Sequence, residues 1–207
     1  MKQLTIIISL LSLFCVFTMN AQRNNFQETI EKGKSDLLEI LGNQQFNLGV
    51  DAEQLREAKG TGGIPFHLMN FDGLLNYRSG EIEPLIGERQ KLVVPLVNNQ
   101  RIVTTISLEE KRPGNFVIAE LVIPEYTSEL NILSAETRND YNDFRIVEVP
   151  NLRATLYLVN DKIFTSYDGR ELHEAQEAES LLKELQTEAR EFQSKYGDLL
   201  KRGRIVY

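Results

Sequence analysis

The chain has few of the residues on which compact catalytic and stabilising sites are often built. Its 207 residues include one cysteine, two histidines and no tryptophan. The cysteine, Cys15, lies in the apolar start of the chain, so the residues after it can form no disulfide, thiol nucleophile or cysteine-bound metal site. Stability must therefore come from buried apolar side chains, and the chain is long enough to bury a sizeable core.

The usual catalytic and metal-binding motifs are missing as well. His67 and His173 lie far apart without the spacing of a zinc site, and no GxSxG motif marks a serine nucleophile. The polar stretch from Asp140 fails the EF-hand template, because its sixth and twelfth positions are Arg145 and Leu152. We therefore predict no catalytic residue, no cofactor and no metal ligand. A hydrolase with paired carboxylates stays open, since those residues need no fixed spacing.

Clusters of positive charge are absent too. The chain carries 23 lysines and arginines against 30 aspartates and glutamates, which gives a net charge of −7. An acidic chain without a basic stripe is a poor binder of nucleic acid and of anionic membrane surfaces. We therefore expect no nucleic acid among its partners.

One long apolar run is present, and it lies at the start of the chain. Lys2 precedes the nearly unbroken apolar residues 4–17, and the small residue Ala21 follows them. This layout is typical of a secretory signal peptide, and the run is shorter than the ~20 residues that span a bilayer. We therefore predict an exported protein, periplasmic or extracellular, with no transmembrane segment after cleavage. The alternative, a lipoprotein cleaved before Cys15, is disfavoured by the bulky Phe14.

The middle of the chain predicts one helix followed by an antiparallel sheet. The helix begins at Asn25 and ends at Gly42, with apolar residues at helical spacing. The glycines of residues 60–63 match no phosphate-binding motif and predict a turn before the first strand. Short turns link most of the later strands, and short links require antiparallel pairing. The predicted strands are 64–71, 91–97, 101–108, 116–123, 144–149, 153–159 and 162–166.

The strand predicted over 91–97 carries two further expectations. Pro95 cannot donate a ladder hydrogen bond, which predicts an edge strand or a bulge. Both faces of this strand and of strand 116–123 are largely apolar. A helix or another molecule should therefore cover the face that is turned away from the core.

A seven-residue apolar repeat marks the end of the chain. Asp168 and Glu171 have capping-box spacing, which predicts a long helix from Asp168 onward. The repeat is typical of a helix docked on its own sheet, which we favour, or of a coiled-coil-like arm for a partner or a second copy. Its members are Ala175, Ala178, Leu182, Leu185, Ala189, Phe192, Tyr196 and Leu199. The candidate interaction surface is Leu182, Leu185, Phe192, Tyr196 and Leu199.

Four short segments resemble a group of uncharacterised exported bacterial proteins. They are residues 64–68 (IPFHL), 92–97 (LVVPLV), 115–117 (NFV) and 144–150 (FRIVEVP). Such domains are similar to helix-against-sheet folds of the cystatin-like kind. The resemblance implies that fold, and export, and it carries over no site residue.

Together these patterns predict an α+β fold, in which an antiparallel sheet meander packs against an N-terminal helix and a long C-terminal helix. The predicted organisation is a signal peptide over 1–21, an α+β domain over 22–167, and a helix with a short tail over 168–207 docked on that domain. The predicted function is a non-enzymatic binding or protein-interaction module of the bacterial envelope, with a protein partner or self-association. The alternatives are a carrier of a small apolar ligand between sheet and helix, and a hydrolase with an unrecognised carboxylate site.

Overall fold

A computed structural model of the protein describes residues 25–43, 48–133 and 141–201. The predicted signal peptide and the C-terminal tail lie outside the described residues. The chain divides into two compact units, each built from two separate segments. The first unit is Met1–Thr61 with Val94–Pro124, and the second unit is Gly62–Val93 with Glu125–Tyr207. The predicted division at residue 168 stays a prediction.

The described helices and strands confirm the predicted α+β class. In chain order they are α1 (25–42), α2 (Ala52–Glu57), β1 (Lys59–Gly60), β2 (Ile64–Met69), α3 (Phe71–Leu75), β3 (Ile86–Asn98), β4 (Arg101–Arg112), β5 (Asn115–Glu120), α4 (Pro124–Ile132), β6 (Phe144–Val149), β7 (Ala154–Val159), β8 (Lys162–Phe164) and α5 (Ala178–Lys201). Short 3-10 turns precede β3 and β6 and follow β6 and β8.

The strands pair in the order β5-β4-β3-β2-β6-β7-β8, and β1 pairs with β3. The meander from β3 to β5 and the run from β6 to β8 follow the predicted order. The pair of β2 and β6 is parallel, which the prediction of a wholly antiparallel sheet missed. A parallel pair needs a connection of a dozen or more residues, and more than seventy separate these two strands.

Two tight turns agree with their sequence signals. Gly114 has a φ of 75°, as expected after Pro113 in a type II turn. The turn after β3 is centred on Asn99 and Gln100, with φ values of 47° and 65°. Two consecutive left-handed residues match the type I′ turn that suits the twist of a hairpin.

Pro95 does not lie on an edge strand, but the predicted alternative, a bulge in the same strand, is present. The register of β3 against β2 shifts between Phe66 and His67, several residues from Pro95. Pro95 belongs to β3, which has neighbours on both sides. Its carbonyl accepts a hydrogen bond from the Thr61 backbone N–H, at 3.1 Å. The N and O of one residue in an antiparallel ladder face the same side. The missing donor of Pro95 therefore faces Thr61, which follows the end of β1.

Within the chain itself, β3 is covered as predicted and β5 is not; cover of β5 by another molecule stays a prediction. Residues 92–96 of β3 are all buried, which means that both faces of this stretch are covered. The predicted partner strand, β5, is an edge strand in which alternate residues are exposed, and Val117 is 36% exposed. An edge strand has a neighbour on one side only, so less of its surface is buried.

In the first unit, α1 packs on the sheet through its predicted apolar stripe. Ile30 and Leu37 are fully buried in a cluster of side chains from β3 and β4. The edge strand β5 is held by side chains of the same helix. Asn25 Oδ1 accepts a hydrogen bond from the Phe116 backbone N–H at 2.9 Å, and Thr29 Oγ1 lies 3.3 Å from the Phe116 carbonyl. These contacts satisfy backbone groups that an open edge would present for pairing.

In the second unit, α5 begins ten residues later than predicted. Asp168 and Gly169 have positive φ values of 55° and 74°, which no right-handed helix contains. The segment after them runs beside β8, where the Gln176 backbone N–H donates to the Ile163 carbonyl at 2.7 Å. Glu177 is the cap instead, since its carboxylate accepts hydrogen bonds from the backbone N–H groups of Glu179 and Ser180.

Thr104 in β4 offers a direct test of the core of the first unit. Its side chain is fully buried, and its Oγ1 has no hydrogen-bond partner among the described residues. We expect Thr104→Val to raise the free energy of unfolding by about 1–2 kcal/mol, because it removes a buried hydroxyl that has lost its hydration. Chemical denaturation followed by circular dichroism would measure the change.

The neighbouring Thr105 is the matched control. It is equally buried, and its Oγ1 donates to the Ile123 carbonyl at 3.0 Å. Thr105→Val should therefore lower the free energy of unfolding, by about 1 kcal/mol or more, because the carbonyl loses its donor. Equal effects of the two substitutions would show that the hydroxyl of Thr104 is also satisfied.

Candidate interaction groove on the C-terminal helix

The residues of the predicted interaction surface on α5 fall into two groups, one that is fully buried and one that is partly exposed. Leu182 and Leu185 are fully buried in the core of the second unit. Phe192 and Tyr196 retain part of their surface in contact with solvent. Leu199 lies outside the residues whose side chains are described. Only Phe192 and Tyr196 therefore remain as described surface candidates from that set.

The N-terminal half of α5 is anchored by polar contacts as well as by leucines. Gln186 is only 8% exposed, and its Nε2 donates to the backbone carbonyls of Leu75 and Tyr77. The Arg190 guanidinium also donates to the Leu75 carbonyl, at 3.2–3.3 Å. These carbonyls lie at and just beyond the C-terminal end of α3, where a helix leaves acceptors without an internal partner.

A groove lies beside the C-terminal half of α5. It has a volume of about 650 Å³, and its second wall is the turn that follows β6. The lining residues are Asn151, Leu152, Glu184, Thr187, Glu188, Glu191, Phe192, Lys195 and Tyr196. The groove is open to solvent and four of its lining residues are charged, so its lining differs from that of a cavity for a small apolar ligand.

The three glutamates of the groove have different partners. Glu184 forms an ion pair with Arg170, in which Nη2 lies 2.6 Å from Oε2. Glu188 accepts a hydrogen bond from the hydroxyl of Tyr167, a neutral donor that leaves the carboxylate charge uncompensated. Glu191 is exposed and has no hydrogen bond or ion pair within the described part of the chain. Among the described side chains, two carboxylates of this groove, Glu188 and Glu191, therefore form no ion pair.

Aromatic rings form the apolar end of the groove. The Phe192 and Tyr196 rings lie 5.1 Å apart between centroids, and Phe192 also meets Phe71 edge-on at 6.0 Å. Glu191 and Lys195 are four residues apart on the helix, but no ion pair forms between them. The Lys195 ammonium lies instead 5.1 Å from the centroid of the Tyr196 ring, within the range of a cation–π contact.

A second polar cluster in this unit joins α4 to the sheet. The Glu129 carboxylate accepts hydrogen bonds from the Tyr157 hydroxyl, at 2.5 Å, and from the Ser166 hydroxyl. Tyr157 is fully buried, and burial together with the nearby Glu129 charge raises the pKa of its hydroxyl. The phenol therefore stays a donor to the carboxylate, and Ser166 is likewise a donor rather than an activated nucleophile.

Within the described part of the chain, the recorded polar partner of each histidine is a carbonyl or a carboxylate and not a serine. His67 Nδ1 lies 2.8 Å from the Gly87 carbonyl, and His173 Nε2 lies 2.9 Å from Glu171 Oε2. A turn also brings Glu174 close, so that ligand atoms of Glu171, His173 and Glu174 lie within 4.8 Å of one another. The sequence did not indicate this cluster, because Glu-x-His-Glu matches no standard metal-site spacing. All three side chains are exposed, and such groups are common without an ion, so the geometry assigns no metal.

The sequence did not reveal the groove, although one of its signals was visible. Glu184, Glu188 and Glu191 have the i, i+4, i+7 spacing that places side chains on one helix face. Tyr167, the partner of Glu188, lies in a 3-10 turn, and Arg170, the partner of Glu184, follows that turn. The capping-box spacing predicted that the helix would begin in this segment. The groove therefore depends on a non-helical segment that local patterns did not show.

Comparison with known proteins finds no relative of this chain. Of the helices described, none is both long and apolar enough to cross a membrane. The resemblance to exported proteins with a cystatin-like domain stays a prediction. No protein family, curated protein or solved structure matches this chain.

Proposed function

We propose that this protein is an exported, non-enzymatic binding module of the bacterial envelope, and that the groove on α5 holds a segment of a partner protein. The support for export is the signal-peptide pattern of residues 1–21. The support for binding is the half-buried aromatic pair, Phe192 and Tyr196, at the end of an open groove. Aromatic anchors of this kind commonly carry much of the energy of a protein interface.

The difference in burial between the two halves of α5 is the observation that carries this proposal. Leu182 and Leu185 are buried in the core, so the N-terminal half of the helix is already occupied by its own unit. Beyond Ala189 the apolar repeat continues as Phe192 and Tyr196, which the core does not cover completely. An apolar repeat that continues past its own core favours a second contact surface.

Site-specific photo-crosslinking in the native host would test the proposal. A benzophenone amino acid would replace Thr187, which is exposed and lines the groove. We expect an adduct with a defined partner in the envelope or the medium, which mass spectrometry would identify. The purified partner should then bind the protein, and Tyr196→Ala should weaken that binding by about tenfold or more, as for an aromatic hot spot.

The matched control places the same photo-crosslinker at Glu39, an exposed residue of α1 in the first unit. This position should not capture the same partner. Equal capture from Thr187 and Glu39, an affinity unchanged by Tyr196→Ala, or a protein found only in the cytoplasm would each contradict the proposal.

A further inference from the structure

The charge of the groove indicates what kind of segment it accepts. Its lining includes Glu184, Glu188, Glu191 and Lys195, and Glu184 is already paired with Arg170. Glu188 and Glu191 stand one turn apart on the same face of α5, because residues three apart on a helix are neighbours. They present two carboxylates toward one groove, and among its described lining residues Lys195 alone is a cation.

The arrangement around Glu184 restricts where a ligand cation can bind. Arg170 is held by three contacts, with the Glu184 carboxylate at 2.6 Å, the Tyr167 carbonyl at 3.0 Å and Gln176 Oε1 at 3.2 Å. A guanidinium with this many partners stays with Glu184 and does not neutralise its neighbours. An incoming positive charge would therefore meet Glu188 and Glu191.

The aromatic end of the groove suits the stem of the same side chain. Lysine and arginine carry apolar methylene groups that pack on aromatic rings while the charged end stays in water. The position of Lys195 over the Tyr196 ring shows that this face already accepts a cation from the protein itself. Arginine suits the site better than lysine, because its planar guanidinium can bind a carboxylate with two hydrogen bonds and stack on a ring.

From these contacts we infer that the α5 groove binds a basic segment of another polypeptide, with an arginine side chain between Glu188 and Glu191 and apolar neighbours on Phe192 and Tyr196. This inference rests on the proposed binding function and specifies its partner. The charge of the whole chain, −7, favours the approach of such a positively charged segment.

Two blocked peptides would test the inference on the purified full-length protein. One is acetyl-Leu-Arg-Leu-Arg-Leu-amide, and the other carries glutamate in place of both arginines. We expect the arginine peptide to shift the NMR amide signals of residues 184–196, and the glutamate peptide to leave them in place. The affinity of the arginine peptide should also fall as the sodium chloride concentration is raised from 50 to 300 mM, because exposed charge pairs are screened.

The decisive variant is the double substitution Glu188→Gln with Glu191→Gln. Glutamine at 188 keeps an oxygen that can accept from Tyr167, so the local structure should persist. We expect the arginine peptide to bind roughly three- to tenfold more weakly, as for the loss of two solvent-accessible charge pairs. The control, Glu31→Gln with Glu39→Gln, makes the same change of charge on exposed residues of α1 and should leave affinity unchanged.

The outcomes separate this inference from the proposed function. Equal binding of both peptides, shifts outside residues 184–196, or equal losses in the two double variants would overturn the basic-segment inference. If a crosslinked partner depends on Tyr196 but is insensitive to Glu188→Gln with Glu191→Gln, the binding module stands and only its preference for basic segments fails. If the arginine peptide binds as expected while no partner is captured from Thr187, the groove chemistry stands and the proposed function fails.

Discussion

Leu185→Ala is expected to lower the free energy of unfolding of the second unit by about 2–5 kcal/mol. Leu185 is fully buried among side chains of α3, β6 and β7, so its truncation removes apolar burial and leaves a cavity. Urea denaturation, followed by the helical circular dichroism signal, would measure the loss. The result would show that the apolar repeat of α5 serves its own core through this part of the helix.

Tyr196→Ala is the matched substitution on the same repeat. Tyr196 is half-buried, and its ring contacts are with Phe192 and Lys195 on the same helix. We expect a loss of about 1 kcal/mol or less, as is usual for residues away from the core. Similar losses at both positions would contradict the division of α5 into a core half and a binding half, and a small loss at Leu185 would contradict its docking.

Gly60→Ala is expected to destabilise the first unit by about 1–3 kcal/mol, the usual cost of overpacking a core. A methyl group at this position would lie 2.5 Å from Cγ2 of Ile30, a contact too short for two carbons. Ile30 is fully buried where α1 packs on the sheet, so it cannot move away cheaply. Chemical denaturation of the variant would measure the effect.

A double substitution and a control at a second glycine show whether the clash with Ile30 is the cause of the destabilisation. Ile30→Ala removes the clashing carbon, so Gly60→Ala should cost much less in that background than in the natural chain. Gly42→Ala is the control, because no atom lies within 4 Å of a methyl group there. If Gly60→Ala costs the same in both backgrounds, the clash with Ile30 is not the reason for glycine at 60.

The glycine cluster shows how a sequence pattern can have several physical causes. Residues 60–63 were predicted to form a turn before a strand rather than a phosphate-binding loop. The structure places Gly60 against Ile30 and Gly63 against Leu92, where an added methyl group would lie 3.0 Å from Leu92 Cβ. Close packing accounts for both glycines, and a sequence alone does not show which distant side chain approaches them.

Local patterns predicted α1 and most strands because those elements depend mainly on neighbouring residues. The predicted β6 matches the observed Phe144–Val149, and the observed β7 begins one residue after the predicted start. The pairing partners of strands and the first residues of helices were harder to predict from local patterns. The parallel contact of β2 with β6 joins residues that are distant in sequence, and the left-handed Asp168 and Gly169 displaced the start of α5 despite a good capping-box signal.

The sequence by itself determined the α+β class, the apolar stripes of α1 and α5, and the absence of standard catalytic motifs, because periodicity, turn chemistry and residue spacing are local. Tertiary structure decided which part of the α5 repeat is core and which part lines a groove, since that depends on where α3, β6 and β7 end beneath the helix. It also decided the charge of the groove, because the segment before α5 brings Arg170 to Glu184, and no described cation forms an ion pair with Glu188 or Glu191.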